Sequence, residues 1–197
     1  MGNQVEIICK NNGKTLLVDE GTALIDIYKT AGVELPYQVL CAQVNNRTRD
    51  LSYRVYQPKQ IMFSDASHIM GMRMYVRSLC FVLYKAVTEL FPGTRLRIEH
   101  SVSNGYFCCL NQREEIPHDT VELLKERMRD IIRRDLPFER IQSTAEVAAG
   151  HFREQDMCDK IDLIETLHPL YATYYKLGNL YDVYYEYLLP STGYLKV

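Results

Sequence analysis

The side chains able to do chemistry in this sequence are numerous but poorly placed for it. Its five histidines (His68, His100, His118, His151 and His168) are scattered, with no H-x-x-x-H spacing to set two imidazoles on one helical face. Its six cysteines (Cys9, Cys41, Cys80, Cys108, Cys109 and Cys158) form no C-x-x-C pair and fall in apolar, strand-like or helical surroundings. Such thiols read as buried and reduced rather than as disulfides or zinc ligands. No G-x-x-x-x-G-K-(S/T) loop occurs, so the chain has no phosphate cradle of that kind. Arg77 and Ser78 stand at the head of the segment Val76 to Pro92, VRSLCFVLYKAVTELFP. A second segment to follow is LLPSTGY, Leu188 to Tyr194.

Periodicity shows which elements must position these residues. Val76, Leu79, Cys80, Leu83, Ala86, Val87 and Leu90 form an apolar helical stripe that Phe91-Pro92-Gly93 stops, in a unit beginning at Gly71. Upstream, VEIICK (5 to 10) and KTLLV (14 to 18) are β-rich runs around Asn11-Asn12-Gly13, whose Asn-Gly step suits the positive φ angles of a tight hairpin. Thr22 is placed to cap a helix carrying Leu24, Ile27, Tyr28 and Ala31, and Gly32 to end it. After Pro36 come VLCAQVN, a turn at Asn45-Asn46, LSYRVY and QIMFSD. The order strand, strand, helix, strand, strand, strand predicts a small sheet crossed by one helix, ending near Phe63 to Ala66. Ser64 to Met70 reads as a short polar join.

Beyond the long helix, RLRIEHSVSNGYFCCL predicts a hairpin turning at Ser103-Asn104-Gly105. Pro117 and Asp119 start a further helix, with Asp119 and Glu122 at capping-box spacing. Val121, Leu124, Met128, Ile131 and Ile132 make its buried face. The other face carries Lys125, Arg127, Arg129, Arg133 and Arg134 among Glu126 and Asp130, which reads as a solvated surface with i,i+4 pairing rather than a phosphate strip. Ser143 or Thr144 caps a short helix through Val147 and Phe152, followed by KIDLIETL. The closing segment LYATYYKLGNLYDVYYEYLLPSTGY holds eight of the fifteen tyrosines with Lys176 as its one basic residue. Stacking platforms for single-stranded nucleic acid need a basic groove, so these rings read as filling a pocket and facing a sheet.

With 197 residues, 47% apolar and 24% charged, the chain can build two small cores. A net charge of -2 gives no global attraction for nucleic acid. No apolar run approaches a membrane span and no signal-like segment opens the sequence, which predicts a cytoplasmic protein without a membrane partner.

VRSLCFVLYKAVTELFP and LLPSTGY together resemble the second domain of threonyl-tRNA synthetases. In that family the helix reads H-S-x-x-H-L with a tail ending L-(F/W)-P, and the later segment reads C-x-x-x-H-L-P. Alignment on Leu90-Phe91-Pro92 places the two family histidines at Arg77 and Phe81, with Ser78 matching the serine between them. Alignment on Leu189-Pro190 places the cysteine at Tyr184 and the last histidine at Leu188. Arg, Phe, Tyr and Leu supply neither imidazole nor thiolate, so the resemblance implies an editing-type fold without its chemistry, without metal and without catalytic residues. At most the resemblance leaves Arg77 and Ser78 as candidate ligand contacts, with Arg77 holding an anion or pairing with Glu99. In the same way VDEGTALIDIYK, AQVNNRTRDLSYRV and Ile61-Met62-Phe63 resemble the ubiquitin-like TGS module.

These resemblances imply an α+β protein: a TGS β-grasp domain over 1–66 and a degenerate synthetase-like domain over 71–197, truncated where Leu195-Lys196-Val197 ends inside an expected strand. Whole-chain wording (NNRTRDLSYRVY, GMRMYVRSLCFVLYKAVTELFPGT, LLPSTGY) resembles the N-terminal region of bacterial uridine kinase-like nucleoside kinases. That resemblance implies a non-catalytic accessory or regulatory region. Its partner would be a downstream P-loop kinase domain of the same chain, which would bring ATP and magnesium; the region itself would hold no cofactor. The alternatives are the N-terminal part of a threonyl-tRNA synthetase or a freestanding editing homologue, or a module binding RNA or a small effector. Homo-oligomerisation stays open.

Overall fold

The computed structural model describes residues 3–103, 105–110 and 116–196. Strand β1 (Gln4–Cys9) buries alternate residues Val5, Ile7 and Cys9 and pairs antiparallel with β2 (Thr15–Asp19). The connecting turn has Gly13 at φ 73° while Asn12 keeps a negative φ, so it is not the two-residue turn with both φ values positive. Asn11 and Asn12 are used for tertiary ties instead. The Asn11 amide donates to the Phe63 carbonyl (2.9 Å) and its oxygen accepts from the Phe63 N–H (2.8 Å), while the Asn12 amide donates to the Ala31 carbonyl (3.0 Å). The last of these satisfies a carbonyl left free at a helix end.

That helix, α1 (Leu24–Ala31), buries Leu24, Ile27 and Ala31 and stops at Gly32 in the left-handed region. Thr22 does not cap it. It lies in β3 (Thr22–Ala23) and its hydroxyl donates to the Asp19 carbonyl, so Ala23 holds the cap position without a side-chain bond. Strands β4 (Cys41–Val44) and β5 (Arg47–Arg49) meet through Asn45 and Asn46, both at positive φ, as a two-residue hairpin requires. LSYRVY yields only β6 (Arg54–Val55), paired with β3 outside the main sheet, because the edge position is already taken by β5. With β7 (Lys59–Ser64) the sheet runs β2-β1-β7-β4-β5, parallel between β1 and β7 and antiparallel elsewhere. Its core gathers Ile7, Leu24, Ile27, Val55, Ile61 and Phe63.

The stretch after β7 is not a solvated polar join. Ser64 and Asp65 are buried, and the Asp65 carboxylate accepts from the N–H groups of Tyr37 (2.8 Å) and Ser67 (2.9 Å) and from the Ser67 hydroxyl (2.5 Å). A Cβ on Gly71 would stand 2.0 Å from the Asp65 carbonyl oxygen, so the next helix can start here only with glycine against that turn.

Helix α2 (Ile69–Leu90) is capped by His68, whose Nδ1 accepts from the Met70 N–H. Its buried face is Gly71, Met74, Ser78, Phe81, Val82, Lys85, Ala86 and Val87. The stripe expected from apolarity alone is therefore rotated: Val76, Leu79, Cys80, Leu83 and Leu90 are half-buried at its rim. Ser78 and Lys85 misled the reading because both are polar yet fully paired. Lys85 is 3% exposed, with Nζ 2.9 Å from Glu89 Oε1 and 2.9 Å from Asn179 Oδ1. Glu89 in turn takes Arg127 at 2.7 Å.

The remaining elements cover this helix. Strands β8 (Leu96–Val102) and β9 (Gly105–Leu110) form the expected hairpin; its turn residue Asn104 lies outside the described residues. Helix α3 (His118–Arg133) buries Leu124, Met128 and Ile131, but Pro117 takes the cap position and no capping box forms. Its basic residues pair at i,i+3 (Lys125 with Glu122, Arg133 with Asp130) rather than i,i+4. Strands β10 (Glu139–Thr144), β11 (Tyr171–Leu177) and β12 (Leu180–Asp182) make an antiparallel sheet. Helices α4 (Ala145–Glu154) and α5 (Cys158–Leu167) fall between the first two of these strands; Thr144 occupies the α4 cap position without a side-chain bond. A turn of 3-10 helix at Thr192–Tyr194 precedes Leu195, which is buried; Leu195 and Lys196 are in no strand. The main core of this part joins α2, α3, the sheet and Leu188-Leu189, and it takes in Cys41 from the first sheet and Leu40 just before it.

Candidate functional site

Arg77, Ser78 and Phe81 occupy neighbouring positions on α2, one helical turn apart, as side chains at i and i+4 must. Tyr184 and Leu188 come from the segment after β12. The structure brings all five together, and fills the space among them. Phe81 is fully buried, its ring centroid 5.2 Å from Tyr184 and 6.0 Å from Phe138. Tyr184 meets Tyr175 edge-on at 6.2 Å, and the Tyr175 hydroxyl accepts from the Leu188 N–H at 3.3 Å. Leu188 is itself buried.

Both polar members are committed to backbone. The Ser78 hydroxyl donates to the Met74 carbonyl (2.9 Å) and accepts from the Leu189 N–H (2.9 Å), fastening the Leu-Leu-Pro segment onto the helix. Arg77 pairs with Glu186 at 2.6 Å and donates to the Tyr187 carbonyl at 3.1 Å. Its partner is thus not Glu99, which instead meets Arg97 two residues away on the same strand. The Arg77 Nε is buried without a hydrogen-bond partner among the described residues.

Burial keeps the thiols and phenols around this point protonated. Burial pushes the Cys80 thiol up to about 11, and the Cys41 thiol also up to about 11 against the opposing charge of Arg77. Thiols so placed are protonated and unreactive at neutral pH. Burial likewise drives the Tyr175 phenol up to about 12, and the Tyr184 phenol well above its usual range, with the nearby Asp182 carboxylate adding to the shift. Asp182 is raised by burial, which Lys160 and the Val183 N–H only partly offset. No imidazole lies among these contacts; His151 stacks on Tyr181 at 4.2 Å instead. Among the described residues no group of three or more His, Cys, Asp or Glu is arranged to hold a metal ion.

The cysteines and tyrosines divide more finely than composition suggests. Cys9 and Cys41 are buried, Cys80, Cys108 and Cys109 half-buried, and Cys158 exposed; all are free thiols. Tyr174 and Tyr175 are core residues, whereas Tyr171 and Tyr185 stand in solvent. Sequence reasoning missed Lys85 and Asp182. Lys85 carried a signal in hindsight: it stands on the face of α2 shared by Ser78 and Val82, a position a solvated lysine does not take.

No protein-family model matches the chain. Its relatives include the threonine–tRNA ligase of Desulforamulus reducens, 30% identical over 177 residues, which are 89% of this chain and 28% of that protein. The threonine–tRNA ligase of Rubrobacter xylanophilus is 29% identical over 182 residues (92% of this chain, 28% of that protein). That of Caldanaerobacter subterraneus subsp. tengcongensis is 25% identical over 199 residues (100% and 31%). The chain spans less than a third of the length of these relatives. All three carry the ligase name and none is a kinase. No described helix is long and apolar enough to cross a membrane. The chain is an α+β protein that is threonyl-tRNA-synthetase-like over most of its length.

Proposed function

We propose that residues 1–197 are a non-hydrolytic accessory region of threonyl-tRNA-synthetase type, in which the former reaction cleft has become part of the core. The first sixty-six residues read as a β-grasp unit, supported by the mixed sheet with its parallel β1–β7 pair and single crossing helix. Residues 71–197 read as the editing-like unit. One observation carries the reading: at the four positions where the resemblance puts reactive groups, Arg77, Phe81, Tyr184 and Leu188 pack against one another's elements or are tied to backbone. An ester carbonyl has no lone pair to meet there and no room to approach.

The relatives favour a synthetase-type region over the kinase-linked one. Both agree on an inert cleft, and they differ in what the rest of the polypeptide does. Ester hydrolysis tests the shared claim: the chain, incubated with seryl-tRNA of the threonine acceptor type, releases serine no faster than buffer. Serine release above that background refutes it. Aminoacylation against uridine phosphorylation, assayed on a polypeptide carrying this region, decides between the two settings.

A further inference from the structure

A second site lies on the first sheet, far along the chain from α2. Arg47 and Arg49 sit at alternate positions of edge strand β5, so both side chains project to the same face. Their cross-strand partners Val44 and Ala42 are buried in the core of that sheet, which places the arginines at its rim. Lys59 opens β7, on the far side of β4. Together with Val44, Asn45 and Tyr53 these three cations line a cleft of about 370 Å³.

Several arginines of the second part meet a carboxylate, among them Arg77, Arg97, Arg127 and Arg133. Arg47, Arg49 and Lys59 meet none among the described residues. The neighbouring carboxylate of Asp50 is taken by the Ser52 N–H and hydroxyl. Glu6 lines an adjoining cleft that shares Asn45 and Lys59. Arg49 is also held in place before any ligand arrives. Its guanidinium lies 5.2 Å over the Tyr53 ring and 5.8 Å over the Tyr187 ring, and donates to the Tyr187 hydroxyl at 2.9 Å. Arg140 approaches the same Tyr187 ring at 5.2 Å and adds positive charge behind it. A guanidinium fixed between two rings keeps further N–H donors at low entropic cost.

We propose that this cleft binds a small polyphosphate-bearing anion, such as the diphosphate moiety of a nucleotide. Three cations that meet no carboxylate among the described residues line one concave site and match the charge density of linked phosphates. The volume is within the roughly 300–1,000 Å³ of small-molecule sites. A polynucleotide fits less well, since it asks for a basic track and the chain's net charge is -2. The inference does not depend on what the α2 cleft does.

Calorimetric titration of the 197-residue chain with inorganic pyrophosphate in low salt tests it. One site is expected, weakened roughly tenfold or more by Arg47→Ala and by Lys59→Ala, and unaffected by Arg129→Ala on the basic face of α3. Arg47 is exposed, so its replacement leaves the fold and melting temperature unchanged, and Arg47→Glu abolishes binding outright. Absence of binding at millimolar pyrophosphate overturns the proposal. So does an equal loss in Arg129→Ala, which would mean diffuse attraction. A single-stranded RNA dodecamer that binds more tightly than pyrophosphate would make the surface a polynucleotide contact and overturn it as well.

Discussion

Replacing Ser78 by alanine isolates the structural tie that its hydroxyl makes at the α2 cleft. Ser78 is fully buried, and so is Leu189, whose N–H it receives at 2.9 Å. Its own donation to the Met74 carbonyl matters less, since that carbonyl belongs to the helix and serves its backbone bonding as well. The cost of Ser78→Ala is therefore set by the Leu189 N–H, stranded in an apolar core that water does not reach. Leaving a buried donor unsatisfied costs about 1–3 kcal/mol. With a urea m-value of about 2 kcal/mol/M, the unfolding midpoint should fall by about 0.5–1.5 M with the slope unchanged. Ser78→Cys, with a thiol that bonds more weakly, should fall in between. The same substitution in a hydrolytic site would alter turnover and leave stability nearly untouched. A midpoint within 0.2 M of the parent would refute the claim that this hydroxyl fastens Leu-Leu-Pro to the helix.

Other substitutions probe the neighbouring claims. Phe81→Ala empties the centre of the plug and should cost about 3–5 kcal/mol in denaturant unfolding. Gly71→Ala drives a methyl into the Asp65 carbonyl and should cost about 1–3 kcal/mol by forcing the start of α2 to shift, again read from the urea midpoint. Lys85→Met should be tolerated better than Glu89→Gln, because Glu89 keeps Arg127 when the lysine is lost, whereas the glutamine leaves Lys85 buried without a counter-charge; thermal melts of the two variants give the order. In acid, Glu89 opposes burial with bonds from Lys85 and Arg127, and its carboxyl ends below the ordinary 4.5. A depressed folded value gives stability that is full above the unfolded value and lost as pH falls through the folded one. Melting temperature should therefore drop below about pH 4.5, and less steeply in Glu89→Gln. Asp182, raised by burial, gives an opposing slope: its contribution is lost as pH rises, so Asp182→Asn should flatten the profile on that side.

Hairpins and helix positions were legible in the sequence because short-range chemistry dictates them. Asn45-Asn46 takes the positive φ values its residue types tolerate, and Gly32 ends α1 where glycine alone is unstrained. Caps and faces were less legible. Thr22, Asp119 and Thr144 have the right chemistry for N-caps, yet Thr22 bonds within a turn and neither α3 nor α4 has a side-chain cap bond. The buried face of α2 was misjudged for a related reason. An apolar stripe locates a core only when polar residues avoid it, and Ser78 and Lys85 enter this core with their partners supplied from residues 111 and 94 positions away. No local window contains Leu189 or Asn179.

The same long-range pairing explains why the bonding of the cleft positions was not legible in the sequence. That Arg77, Phe81, Tyr184 and Leu188 carry neither imidazole nor thiolate is visible in residue type alone. The replacement interactions depend on where the chain returns. Tyr187 illustrates this: its carbonyl receives Arg77, its ring receives Arg49 and Arg140, and its hydroxyl accepts from Arg49. One tyrosine thus links the first sheet, α2 and β10. Tyr187→Ala should loosen Arg49 and separate two effects that an ordinary surface mutation would not couple. Unfolding should become easier by about 1–2 kcal/mol through lost packing and cation–π contact. Pyrophosphate affinity in the Arg47–Lys59 cleft should also weaken, through loss of a preset guanidinium although Tyr187 does not line that cleft. Tyr187→Phe keeps the ring under both arginines and removes only the hydroxyl, so it should retain most of the stability and part of the affinity. Full retention of pyrophosphate binding in Tyr187→Ala would refute this coupling, since the ordering of Arg49 would then come from Tyr53 alone.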